Sequence, residues 1–163
     1  MPSASTAALE PTSVLATHLK PSLYIPELRS KKKPSVLEEM VETLVEAGVT
    51  RAPEAVLEVL RRREALGTTA LGKGVAVPHA RATLVSGRAL VVARSKNGVD
   101  FEAEDGEAVQ LLFLIVAPPL ERDPIYLKLL AEIVRVVRLA RTRRKLLDAP
   151  DFESVRGILV RAS

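Results

Sequence analysis

The sequence predicts a single-domain α/β (α+β) sandwich, a mixed β-sheet flanked by α-helices. Three observations carry that expectation. Residues 109–116, VQLLFLIV, form a continuous apolar run, the signature of a central strand buried on both faces. Segments of helical period stand before and after it. The chain has 163 residues, 47% of them hydrophobic, which suits one domain that buries about 70% of its unfolded surface.

The elements follow in order. Residues 1–13, rich in Ala, Ser, Thr and Pro, are expected to form a flexible tail ahead of a domain at 14–163. Residues 22–25 read as a short strand and 29–33 as a basic loop. Ser35 and Glu38 form a capping box that opens the first clear helix. Leu37, Met40, Val41, Leu44 and Val45 give it one apolar face, and Gly48 ends it. Pro53 opens a second helix with Ala55, Val56, Val59, Leu60 and Ala65 as its buried positions, closed by Gly67.

The period then changes. Residues 75–77 are a short apolar run stopped by Pro78. Residues 89–93 are a β-branched run leading to Asn97-Gly98, a hairpin signal with 99–101 as its return. Asp105-Gly106 marks a tight turn before the central strand. Asp123 is expected to cap a long helix with Pro124 in its first turn and Leu127, Leu130, Ile133, Val134 and Val137 on its apolar face. Helical segments at 141–147 and 152–160 finish the chain.

Composition excludes several functions. There is no cysteine, so no disulfide framework, thiolate metal site or cysteine nucleophile is available. Two histidines, His18 and His79, are too few for a histidine-rich metal cluster. No apolar run reaches the ~18 residues of a membrane span, and the N-terminus lacks the basic and apolar regions of a secretory signal. A cytoplasmic protein is expected. The net charge is +4, but two Tyr, three Phe and no Trp leave little for a base-stacking platform, so no nucleic-acid partner is expected.

Chemistry concentrates at residues 67–81, GTTALGKGVAVPHAR. As a nucleotide P-loop it fails, because Gly74 stands where Ser or Thr must hold magnesium and a strand follows where a helix should. As plain structure, His79 would end a strand and bond nearby backbone. The third reading is a phosphorylatable histidine. Neutral imidazole is a competent nucleophile near pH 7. Pro78 holds Val77 extended and so fixes how His79 is presented. A phosphoryl group there needs cations, amides or hydroxyls, and Arg63, Thr68, Thr69 and Arg81 are all near in sequence.

Arg63-Glu64, then Gly67-Thr68-Thr69-Ala70-Leu71-Gly72 and Val75-Ala76-Val77-Pro78-His79-Ala80, resemble the type-2 enzyme IIA domain. This is the fructose/mannitol and nitrogen-regulatory branch of the bacterial phosphoenolpyruvate-dependent sugar phosphotransferase system. Ile25-Pro26-Glu27-Leu28, Val99-Asp100-Phe101, Asp105-Gly106 and the stretch 111–118 extend the resemblance over about residues 12–162. The resemblance implies that His79 accepts a phosphoryl group from phospho-HPr or its nitrogen-branch counterpart, with transfer onward to an enzyme IIB in transport members. It implies that Arg63 binds the phosphoryl group and that Thr69 is a supporting hydroxyl. No cofactor and no metal are implied. A stand-alone phosphocarrier, regulatory or sugar-transporting, is expected.

Two departures from the family pattern stand out. Many members carry a second histidine at the start of the long helix, facing the first; here Tyr126, or another residue of 123–128, holds that place. Ala80 stands where glycine is common. The missing histidine motivates an alternative, a non-catalytic adaptor that keeps the fold and binds a regulatory partner. Outside this block, His18 reads as a packing residue and the acidic stretch 100–107 as solvated turn. The six basic residues within 135–145 read as a helix face and C-terminal cations, with a nucleic-acid patch as the competing reading.

Overall fold

The computed structural model describes residues 13–119 and 124–163. In chain order the elements are α1 (Val14–His18), β1 (Tyr24–Ile25), α2 (Lys33–Glu46), α3 (Pro53–Ala65), β2 (Ala70–Gly72), β3 (Val75–Ala76), β4 (His79–Arg81), β5 (Ala89–Val99), β6 (Val109–Ala117), α4 (Ile125–Val137), α5 (Ala140–Asp148) and α6 (Phe152–Ala162). A 3-10 turn at Pro21–Leu23 precedes β1. The strands order as β1-β5-β6-β3-β2, with β4 also beside β6. β1 runs parallel to β5, and β3 and β4 run parallel to β6, while β5–β6 and β2–β3 are antiparallel. The sheet is mixed and flanked by helices, as the sequence predicted.

From Leu111 to Ala117 the central run is apolar because both faces of β6 are covered there. Leu112, Leu114 and Val116 join the core under α2 and α3, with Leu37, Met40, Leu44, Val56 and Leu60. Leu111, Phe113, Ile115 and Ala117 join the other core, with Leu129 and Ile133 of α4 and Val155 and Leu159 of α6. Alternation along β5 sorts its side chains the same way, Val91 and Ala93 to one core and Leu90 and Val92 to the other.

β3 and β4 are one strand with an interruption. Val75 pairs with Leu111 and Ala76 with Leu112, and the same offset resumes at His79 with Ile115. Pro78 has no N–H to give the ladder, so pairing lapses there without a change of register. Its carbonyl still accepts from Ile115 N at 3.0 Å. His79 therefore sits at a position set by the whole length of β6.

Several local expectations are corrected. Ser35 does not cap α2. The cap position is Lys32, and the Lys33 N–H donates to Asp100 O at 3.1 Å, so a neighbouring strand end supplies the acceptor. Gly48 does end the helix, in a Schellman arrangement with Val49 N to Leu44 O and Gly48 N to Val45 O.

Asn97-Gly98 is not a hairpin turn. It lies inside β5, where Arg94 to Val99 is matched against Leu111 to Val109, and the connection to β6 is made around Asp105-Gly106. Gly98 has φ +85°, and a Cβ there would stand 2.5 Å from the Ala108 Cβ. Its glycine serves a bulge. Gly98→Ala is expected to destabilise the fold by about 1–3 kcal/mol, read as a lower urea midpoint with an unchanged slope.

The buried face of α4 is Tyr126, Leu129, Ile133, Val136 and Val137, whereas Leu127 and Val134 are exposed. In α3, Leu57 is buried and Ala65 is exposed. Ser13, the last residue of the expected tail, is ordered. It caps α1 by accepting from Ala16 N at 2.9 Å, and its hydroxyl meets that of Ser163 at 2.8 Å. Residues 1–12 and the proposed Asp123 cap lie outside the described residues, and Pro124 is the N-cap of α4 rather than part of its first turn.

At the far end, Asp151 caps α6 by accepting from Ser154 N at 2.8 Å. Hydrogen bonds from Ser154 hold its carboxyl below the ordinary value of 3.8. A carboxyl depressed on folding stabilises above its unfolded pKa and loses that contribution as pH falls through the folded one. Asp151→Ala should therefore lower the thermal midpoint at pH 7, and the gap from the parent should close in acid below the ordinary Asp range.

Candidate functional site

His79 lies on β4 at the edge of the sheet, between the C-terminal end of α3 and the start of α4. Pairing with β6 alternates the side chains of β4. Ala80 turns to the α2/α3 core and is 5% exposed. His79 and Arg81 share the opposite face, toward α4. The methyl of Ala80, which stands where glycine is common in the family, therefore lies on the face of β4 opposite His79.

The His79 ring is half-buried, and its Nδ1 lies 2.8 Å from Val77 O. A carbonyl can only accept, so Nδ1 is the donor and the neutral ring carries its proton there. Nε2 keeps its lone pair, and no described residue bonds it. The extended Val77-Pro78 backbone that fixes this contact follows from the proline itself.

His79, Arg81 and Tyr126 line one wall of an open pocket of about 590 Å³, and Val59, Arg62, Arg63 and Leu66 line the other. Arg63, on the last turn of α3, donates from Nη1 to Gly67 O at 3.0 Å. That bond anchors its guanidinium beside the pocket. Tyr126 faces His79 edge-on with ring centroids 6.3 Å apart, which makes it, among the described residues 124–128, the ring that meets His79. Burial pushes the Tyr126 phenol above its ordinary value of 10.0, while Arg81 and Arg63 pull it down. At neutral pH it is protonated and its hydroxyl is a donor. Leu66, 86% exposed, stands at the pocket rim.

Thr69 does not line this pocket. It is buried, its hydroxyl donates to Glu64 Oε1, and its N–H donates to Glu64 Oε2 at 3.2 Å. Glu64 Oε2 also pairs with Lys33 Nζ at 3.0 Å. The hydroxyl predicted to support the acceptor is thus held by the carboxylate next to Arg63, and it braces the loop instead of facing the site. The sequence reading missed this Lys33–Glu64–Thr69 network. Its signal was present in part, since a Glu beside Arg63 and a Lys far upstream were both visible, but nothing in their spacing joined them.

The other singled-out features take structural places. His18 Nδ1 donates to Val14 O at 2.7 Å and its Nε2 accepts from Arg88 Nε at 2.9 Å. Asp105 accepts from Lys73 N at 2.8 Å and Glu107 N at 3.0 Å, as a turn residue does. Gly72-Lys73-Gly74 forms the β2–β3 turn and opens no helix, which removes the P-loop reading. Arg143 donates to Val137 O and Arg138 O at the C-terminal end of α4. Among the described residues no group of three or more His, Cys, Asp or Glu is placed to hold a metal ion, and no helix is long and apolar enough to cross a membrane.

A mixed sheet of this order, with a histidine on its edge strand facing an arginine-lined pocket, defines an α/β sandwich of the phosphotransferase IIA class. Residues 17–162 match the family described as phosphoenolpyruvate-dependent sugar phosphotransferase system, EIIA 2, and the chain belongs to that family. It is 35% identical over 139 residues to a nitrogen regulatory protein of Bradyrhizobium diazoefficiens, covering 85% of this chain and 90% of that one. It is 33% identical over 132 residues to the fructose-specific EIIABC component of Bacillus subtilis, covering 81% of this chain but 21% of that longer protein. The crystal structure of nitrogen regulatory protein IIA-Ntr from Neisseria meningitidis superposes with a TM-score of 0.83 at 30% identity, covering 90% of this chain and 99% of that one.

Proposed function

We propose that this chain is a cytoplasmic phosphocarrier, reversibly phosphorylated on Nε2 of His79 by phospho-HPr or a nitrogen-branch homologue of HPr. It then passes the group to a separate enzyme IIB or changes its hold on a regulatory target. The observation that carries the reading is the bond from His79 Nδ1 to Val77 O, which leaves the Nε2 lone pair unused on a ring that lines the same pocket as Arg63.

The step balances without a separate base. The donor ring enters protonated on its non-phosphorylated nitrogen. Nε2 of His79 attacks the phosphorus in line, the new P–N bond forms, and the electron pair of the old one returns to the donor ring. Each imidazole keeps its own N–H, and His79 keeps its on Nδ1, held by Val77 O. What remains for the protein is positioning and charge neutralisation, the usual demands of phosphoryl transfer. The Arg63 guanidinium supplies a cation for the equatorial oxygens, and the Tyr126 hydroxyl supplies a donor.

The test is intact-mass measurement after incubation with phosphoenolpyruvate, enzyme I and HPr, at neutral to mildly basic pH where phosphohistidine survives. A one-phosphoryl gain is expected. No gain from a demonstrably phosphorylated cognate HPr overturns the reading in favour of the adaptor, which the tyrosine facing His79 would then explain.

A further inference from the structure

We propose that Arg81 is a second phosphoryl-binding residue of this site, its guanidinium held on the Tyr126 ring so that it meets a group on His79. The proposal rests on His79 as acceptor, and goes beyond it in naming where the charge comes from once no second histidine is present.

Three observations converge. Arg81 follows His79 by two residues on β4, so both side chains leave the same face of the strand toward α4. The Arg81 Cζ sits 4.3 Å from the centroid of the Tyr126 ring, the ring that also faces His79 edge-on. And among the described residues Arg81 Nη1 is buried with no hydrogen-bond partner.

The last observation is the informative one. A guanidinium is a planar fork of N–H donors with no acceptor of its own. Buried N–H groups are nearly always paired, and leaving one unpaired is costly. Arg81 makes no ion pair with any described carboxylate. The ring face of Tyr126 compensates part of the buried charge through its quadrupole but offers Nη1 no acceptor. An incoming phosphoryl group, with its acceptor oxygens, completes the arrangement. Arg81 and Tyr126 together thus bring a fixed cation and a neutral hydroxyl to the pocket that Arg63 also lines. In this reading Tyr126 is chiefly the residue that positions Arg81, and a flexible alkyl chain is turned into a rigid one by stacking.

The experiment compares Arg81→Met and Arg81→Lys with the parent, using two phosphoryl donors. Phosphoramidate labels histidine without a protein partner, and phospho-HPr tests the carrier role. The readout is the first-order rate of label appearance on His79, with thermal melting alongside. Methionine keeps an unbranched apolar chain over the Tyr126 ring, so melting is expected to stay near the parent's. The phosphoramidate rate in Arg81→Met is expected to fall about 10²-fold, the usual effect of removing one preorganised donor. Lysine restores the charge without the fork and is expected to recover part of that loss. A rate in Arg81→Met indistinguishable from the parent's overturns the proposal, and so does an Arg81→Lys rate no better than Arg81→Met. A parent labelled by phosphoramidate but not by phospho-HPr sinks the carrier reading while leaving Arg81 measured. A parent labelled by neither overturns both.

Discussion

Replacing His79 with alanine is expected to abolish the phosphoryl label, and replacing His18 to leave it unchanged. The chain has only these two histidines and no cysteine, so nitrogen nucleophiles near neutral pH reduce to two imidazoles. Their environments separate them. Both rings donate from Nδ1 to a backbone carbonyl, His18 to Val14 O and His79 to Val77 O. The difference is at Nε2. In His18 that lone pair already accepts from Arg88 Nε at 2.9 Å, so it is not free to attack. In His79 it has no described partner, and the ring lines the pocket together with Arg63. The expected outcome is complete loss of the one-phosphoryl mass in His79→Ala and full labelling in His18→Ala, both read by intact mass from the same cascade. Label persisting in His79→Ala would sink the assignment of the acceptor, whatever the stoichiometry of the parent.

Glu64→Ala unfolds the protein more readily than any change at the pocket surface. Its carboxylate is almost wholly buried, and its oxygens receive Lys33 Nζ, the Thr69 hydroxyl and the Thr69 N–H. Removing it strands a buried ammonium and a buried hydroxyl together. Breaking one side of a buried pair costs about 3–5 kcal/mol, because the survivor keeps its desolvation penalty. Two features place the expected loss at the lower end, about 3 kcal/mol. Lys33 Nζ also lies 3.4 Å from the exposed Glu102 carboxylate and 4.9 Å from the Phe101 ring centroid. The control is Lys33→Met combined with Glu64→Gln. It removes the charge on both sides and should recover much of the stability, since replacing a buried pair by neutral groups of similar volume is far cheaper than halving it. Urea unfolding of the two variants and the parent decides it. A loss below about 1 kcal/mol in Glu64→Ala, the range of an exposed pair, would show that the pair is not buried in solution. The network also ties the end of α3 to the loop before β2, so the same variant should slow phosphorylation by loosening Arg63, the neighbour of Glu64.

The divide between what was legible and what was not follows particular residues. β6 was legible because the unbroken apolar run from Leu111 to Ala117 has only one comfortable place in a sandwich, the middle of the sheet. Pro53 and Gly48 marked helix boundaries because their backbone constraints act locally. Asn97-Gly98 misled, since the same positive φ serves a hairpin turn or a bulge, and only the partner strand tells them apart. Ser35 misled because the helix starts two residues before it, at Lys33, whose N–H is taken by Asp100 O, so Ser35 lies inside the first turn rather than at the cap. Thr69 sits in the right block of sequence, but its hydroxyl was claimed by a carboxylate five residues earlier.

By itself the sequence determined the class of fold and the central strand, and it marked the block ending in Pro78-His79. The first two rest on period and residue type, and the block rests on the extended geometry that Pro78 imposes and on its resemblance to type-2 enzyme IIA domains. The tertiary structure alone decided which face of α4 turns inward. Leu127, Leu130 and Val134 repeat at the same helical spacing as Tyr126, Leu129 and Ile133, so period gives two equally apolar faces and no azimuth. Packing against β6 buries the second set, and that rotation carries Tyr126 onto His79 and Arg81. A site assembled from three elements depends on how they are rotated against one another, and rotation is fixed by contact rather than by spacing along the chain.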